Sequence, residues 1–273
     1  MNAFKLCAFA DEADPSIAGQ IRALRENGIE LIELRGVDEK NVTQLTAEEM
    51  KALRLRFEDE GIKVWSIGSP IGKVELAADF APHLELFRHT LELAVIAGAQ
   101  KLRMFSFYGA ENCGEEVIDR LGQMLELAKG SGVVLCHENE KGIYGDTALR
   151  CAQLHKALPA LRAVYDPANF IQCGEDTVKA WELLEPYIDY IHMKDADASG
   201  MVLPAGEGAA NMPLLLEKYA AMGGGVITLE PHLYGFVGLA NLEREGERTG
   251  IVSRYASHRE AFDAGVNALK ALI

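Results

Sequence analysis

The 273-residue sequence has no cysteine cluster, no long apolar run, no excess of basic residues and no Pro-rich linker. Each absence removes a class of protein. The five cysteines, Cys7, Cys113, Cys136, Cys151 and Cys173, are odd in number and form no Cys-x-x-Cys pair, which argues against a disulfide framework or a zinc knuckle. They read as reduced thiols. No apolar stretch approaches the roughly 20 residues a membrane-spanning helix needs, and the opening string MNAFKLCAFADEADP soon turns acidic. A cytoplasmic protein without a membrane partner is expected. With 27 Lys+Arg against 41 Asp+Glu the formal charge is −14, and no segment concentrates the basic residues. A chain that worked by neutralising phosphates would repel its own ligand at that balance, so no nucleic-acid partner is expected.

What is present is rhythm. Hydrophobic residues make up 49% of the chain, enough for a sizeable core, and short apolar runs alternate with longer amphipathic segments throughout. The apolar runs predict strands at Phe4–Phe9, Ile29–Leu34, Lys63–Ile67, Lys101–Phe107, Val133–Glu138, Ala163–Asp166, Ile188–His192 and Val226–Glu230. Helices are predicted at about Ser16–Asn27, Ala47–Glu60, Pro82–Ala97, Glu115–Lys129, Asp146–Ala157, Glu175–Leu184, Met212–Met222 and Tyr255–Leu272. Glycines after Asn27, Glu60 and Ala97 fit helix ends, and Thr46-x-x-Glu49 reads as a capping box. Eight such repeats predict the α/β class, as a single (β/α)8 TIM barrel spanning residues 1–273 as one domain. A doubly wound open sheet would want a Gly-rich turn after its first strand, where this chain has Ala8-Phe9-Ala10-Asp11-Glu12. The longest irregular stretches, Asp195–Asn211 and Pro231–Arg254, follow strands seven and eight, on the face where barrel enzymes keep their sites.

Four polar residues end four successive apolar strands: Glu138 in VVLCHENE, Asp166 in AVYDPANF, His192 in YIHMKDA and Glu230 in VITLEPHL. Alternate residues of a strand share a side, so Cys136 with Glu138, Val164 with Asp166, Tyr190 with His192 and Thr228 with Glu230 all face the barrel interior. Three carboxylates around one imidazole repel each other unless a cation neutralises them. An oxygen-rich set with one nitrogen suits Mn²⁺, Co²⁺ or Mg²⁺ better than a structural zinc site does.

With this series in place, the chain resembles the xylose isomerase-like TIM barrel family, the sugar phosphate isomerase/epimerase group that shares its fold with endonuclease IV. The intervals of 28, 26 and 38 residues between the four, and the strings His192-Met193-Lys194-Asp195 and Leu229-Glu230-Pro231-His232, are similar to those of ketose 3-epimerases. The resemblance implies one divalent metal on Glu138, Asp166, His192 and Glu230, Mn²⁺ first and Co²⁺, Mg²⁺ or Zn²⁺ after it, with Glu138 and Glu230 doubling as acid/base catalysts. It implies a small carbohydrate substrate and a homo-oligomeric assembly. Such epimerases often carry a second His three residues after the Asp ligand; here that residue is Asn169.

Elementary chemistry leads the same way. A metal on adjacent carbonyl and hydroxyl oxygens acidifies the C–H between them by stabilising an enediolate. Return of the proton to the opposite face is epimerisation, return to the neighbouring carbon is isomerisation, and loss of a β-hydroxyl is dehydration. The leading expectation is therefore a metal-dependent isomerase or epimerase of a sugar or sugar phosphate. A carbohydrate dehydratase or lyase is the alternative, and endonuclease IV-like DNA repair a distant one. Asn169, Lys194, His232, Glu33 and Arg103 are expected to bind substrate. Trp65 is read either as a sugar-stacking ring or as rim packing, and His137 as packing turned away from Glu138.

Overall fold

The computed structural model describes residues 4–236, 250–251 and 254–273. Eight parallel strands close on themselves in the order 1-8-7-6-5-4-3-2: β1 Lys5–Ala8, β2 Leu31–Leu34, β3 Lys63–Gly68, β4 Lys101–Met104, β5 Val134–Glu138, β6 Arg162–Tyr165, β7 Ile188–Met193 and β8 Val226–Leu229. Closure joins β1 to β8 with Cys7 opposite Thr228, and β8 to β7 with Thr228 opposite His192. This is the (β/α)8 barrel that the strand-helix rhythm predicts, and each expected strand is present.

The connecting helices form where the amphipathic segments stand, and local chemistry sets their ends. Thr46 and Glu49 exchange the two hydrogen bonds of a capping box, and Gly98 ends the helix Phe80–Ala97 in the left-handed conformation at φ 71°. Apolar faces of these helices pack on the strands' outer sides, where Leu24, Met50, Phe57, Phe87, Leu121, Leu154, Trp181 and Phe262 are buried. Inside the lower barrel, Cys7, Trp65, Cys136, Val164 and Tyr190 form an apolar plug, with Trp65 edge-on to Tyr190 at 4.7 Å. Trp65 is thus an interior packing residue.

Three differences from the sequence reading have physical reasons. Strand β4 stops at Met104 because the backbone N–H groups of Phe105, Phe107 and Tyr108 turn to the carbonyls of Ile71, Gly72 and Val74, with Phe107 at φ 68°. A short helix, Pro167–Gln172, follows β6 directly; Asp166 caps it and Pro167 opens it, a pairing that prefers a helix start. The loop after β7 folds into a hairpin, Asp195–Ala196 against Val202–Leu203. Most of the expected long loop from Pro231 to Arg254 lies outside the described residues.

Candidate metal centre

The strand ends carry the chemistry. Ligand atoms of Glu138, Asp166, His192 and Glu230 all lie within 4.8 Å of one another, and all four side chains are buried. His192 Nδ1 stands 3.0 Å from Glu138 Oε1 and 3.3 Å from Glu230 Oε2. Asp166 has one oxygen committed by its local structure, since Oδ1 accepts the N–H of Asn169 at 2.9 Å as the helix cap. Its other oxygen, Oδ2, is ion-paired with the Lys194 ammonium at 2.8 Å and receives no aligned hydrogen bond among the described residues. A buried carboxylate oxygen held by an ion pair alone remains a strong acceptor for a cation. Three carboxylates and one imidazole with such an oxygen among them could hold a divalent ion.

The surroundings balance the charge. Lys194 Nζ also lies 3.1 Å from Glu230 Oε2, Arg103 Nε lies 3.2 Å from Glu138 Oε2, and Arg35 Nη1 lies 3.0 Å from Glu230 Oε1. Burial pushes Asp166 up to about 7, against the opposing pull of Lys194. Burial would raise Glu230 as well, but Lys194, with a hydrogen bond from His192, outweighs it and holds Glu230 well below the usual carboxylate range. Burial opposes the charged form of His192, yet Glu138 and Glu33 raise its pKa well above the ordinary imidazole value. Such opposing shifts follow from packing several ionisable groups into one buried cluster.

Beside this centre sits a second acidic group. Glu12, Glu230 and His232 also bring ligand atoms together, but Arg35 is already there: its guanidinium holds Asp11 through Nε at 2.9 Å and Glu12 Oε1 at 3.0 Å, besides Glu230. The rings of Phe9 and Phe236 lie 4.3 Å from the guanidinium carbon. Arg35 thereby ties Asp11 and Glu12 to Glu230, so the group is a clamp on Glu230. Burial drives His232 well below the ordinary range, leaving a neutral ring stacked on Phe236, with Nε2 lacking a hydrogen-bond partner among the described residues.

The expected substrate contacts are placed as follows. Lys194 and His232 border the four residues. Arg103 is buried, bonded to the Ser69 carbonyl and set against Glu138. Asn169 donates its amide to the Asn139 carbonyl at 2.9 Å and lies 3.4 Å from Glu138 Oε1, bracing β5 against β6. Glu33 lies beneath His192 with both oxygens engaged. His137 faces outward to Ser106 Oγ at 2.9 Å. Asp195 gathers the N–H groups of Ala196, Gly206, Gly208 and Ala210, so the Gly206-Glu207-Gly208 segment is shaped around one carboxylate. Sequence reasoning missed Asp11, Glu12 and Arg35. The acidic pair just after β1, and Arg35 in register with Glu33 two residues on, were the available signals.

A family model described as xylose isomerase-like TIM barrel matches residues 21–251. No curated protein matches the chain. Among solved structures, a D-psicose 3-epimerase from Clostridium cellulolyticum H10, described with D-tagatose, superposes with a TM-score of 0.76 at 14% identity, covering 98% of each chain. The probable 3-DHS dehydratase AsbF of Bacillus anthracis gives 0.74 at 17% identity, covering 98% of this chain and 99% of its own. The IOLI protein, described with a bound zinc atom, gives 0.74 at 14% identity over 98% and 97%.

Proposed function

The chain belongs to the xylose isomerase-like TIM barrel family, and from that premise we propose that it is a metal-dependent isomerase or epimerase of a small carbohydrate, free or phosphorylated. The observation that carries the reading is the convergence of four buried ligand atoms from Glu138, Asp166, His192 and Glu230 within 4.8 Å. These residues would hold one divalent ion, Mn²⁺ by preference and Co²⁺, Mg²⁺ or Zn²⁺ as alternatives. When bound, the ion would polarise a carbonyl and its neighbouring hydroxyl and so acidify the C–H between them.

The chain's own residues do the rest. Glu138 ends β5 and Glu230 follows β8, with β6 and β7 between them, so the two carboxylates approach a substrate from different sides. One takes the proton and the other returns it. Return to the opposite face inverts the carbon, and return to the adjacent carbon exchanges aldose and ketose. Arg103 and Arg35 each hold one of these carboxylates by its outer oxygen, which fixes the direction of the other. Lys194 and His232 are the bordering groups that would meet substrate oxygens. A net charge of −14 accords with a small-molecule substrate, and a cytoplasmic homo-oligomer is the proposed setting; among the described residues no helix is long and apolar enough to cross a membrane.

A dehydratase using the same centre is the second reading. It is favoured by Asn169, whose amide is spent on Asn139 and cannot titrate. Metal content of the purified protein, measured by mass spectrometry beside Glu138→Gln and His192→Ala, tests the centre: about one ion per chain, lost in both variants, is expected. Ketoses followed by NMR in D₂O then separate the readings, since an isomerase or epimerase washes deuterium into the carbon next to the carbonyl without losing a hydroxyl.

A further inference from the structure

His192 has two ring nitrogens, and the structure treats them differently. Nδ1 points among the candidate ligands, 3.0 Å from Glu138 Oε1 and 3.3 Å from Glu230 Oε2. Nε2 points the other way, 3.2 Å from Glu33 Oε2. Glu33 is fully buried on β2, a strand that supplies none of the four ligands. Its Oε1 accepts the Tyr190 hydroxyl at 2.9 Å, and Oε2 accepts Thr228 Oγ1 at 3.0 Å. Tyr190 is in turn 3.3 Å from Ser66 Oγ. The imidazole is held edgewise by two rings, Phe9 at 5.2 Å and Tyr190 at 5.5 Å. A carboxylate pinned on both oxygens cannot also bind a substrate, and a ring packed on two sides cannot turn over.

We propose that Glu33 is a positioning residue: by accepting the Nε2 proton it fixes the orientation and tautomer of His192, so that Nδ1 is the nitrogen offered to a divalent cation. This rests on the four-residue metal reading above and deepens it. The physical basis is general. A histidine ligand whose far N–H is given to a carboxylate is locked in one tautomer and becomes the stronger base, and loss of such a partner weakens metal binding by about 10–100-fold. The placement also explains how a glutamate is tolerated with no exposure: it is one of the groups that balance the imidazole.

The test is a calorimetric titration of the full chain with Mn²⁺, for the wild type, Glu33→Gln and Glu33→Ala. The expected result is about one ion per chain throughout, with affinity weakened roughly tenfold in Glu33→Gln and roughly a hundredfold in Glu33→Ala. Glu33→Gln keeps the side chain's shape, so it decides the matter if Glu33→Ala does not fold. A spectroscopic readout accompanies it. In zinc-loaded protein labelled with ¹⁵N at histidine, His192 should show metal on Nδ1 and a slowly exchanging proton on Nε2, and that proton should lose its protection in the variants. Variants that bind Mn²⁺ as tightly as the wild type, or a zinc-bound Nε2, overturn the role of Glu33 while leaving the metal centre standing. A wild type that takes up neither Mn²⁺ nor Zn²⁺ overturns the metal reading itself, and the role of Glu33 falls with it.

Discussion

Along the same strands, the barrel interior changes character within two residues. Cys136, Val164 and Tyr190 belong to the apolar plug, and Glu138, Asp166 and His192, one alternation further along, belong to the charged centre. Two residues of strand are only about 6–7 Å, so packing and chemistry are adjacent layers of one tube. The lower layer gains from being dry. The upper layer is dry too, and it bears the desolvation of several charges that offset one another incompletely. Buried charge of this kind is weak support for the fold and strong support for chemistry, which means that substitutions in the two layers should separate stability from function.

The largest expected effect is in the upper layer. Glu138→Gln should abolish tight divalent-metal binding, while the melting temperature in chelator stays near the wild-type value because one of several crowded buried carboxylates has lost its charge; calorimetry with and without EDTA reads both. The lower layer should answer in reverse. Trp65→Ala should cost about 3–5 kcal/mol in denaturant unfolding yet leave metal stoichiometry intact. A plug variant that lost its metal at full stability would break the separation.

The clamp sharpens the comparison, because it is charged like the upper layer and structural like the lower. Arg35→Met leaves Asp11, Glu12 and Glu230 without their shared cation and should cost about 3–5 kcal/mol, together with weaker metal binding. Smaller again is Asp195→Asn. It weakens four backbone hydrogen bonds of the loop after β7 and should cost about 1–3 kcal/mol, visible as faster amide exchange at Gly206, Gly208 and Ala210.

Acid should act through a third region, outside the barrel. Burial holds His83 and His155 down at about 4, so both are neutral when folded and take up protons when unfolded below their usual value of 6.5. Their contribution is complete above pH 6.5 and is lost as the pH falls from 6.5 toward 4. Melting curves across that window should be flatter for His155→Gln than for the wild type; equal slopes would remove His155 from the account.

Much of this was legible in the residues themselves. The eight strands and their helices followed from the apolar period, and Glu138, Asp166, His192 and Glu230 could be aligned because each ends an apolar run on the inward-facing alternation. Asp166 shows where local reading stopped short. The residue closes the sixth predicted strand, and its double duty as helix cap and candidate ligand emerges only when both oxygens are placed. Glu33 was visible as a polar residue facing inward, and nothing local could say that it lies under an imidazole 159 residues away.

Sequence alone determined the repeat, the handful of inward polar positions and the chemistry they share, because strand and helix periods and side-chain alternation are properties of neighbouring residues. Tertiary structure decided which of those groups are ligands, which are supports and which are counter-charges. Closure of β1 on β8 brings Glu12 onto the backbone N–H of His232 across 220 residues and sets Arg35 on Glu230 across 195. Those pairings depend on how a ring of eight strands shuts, and on the burial that makes an unpartnered charge too costly to leave alone.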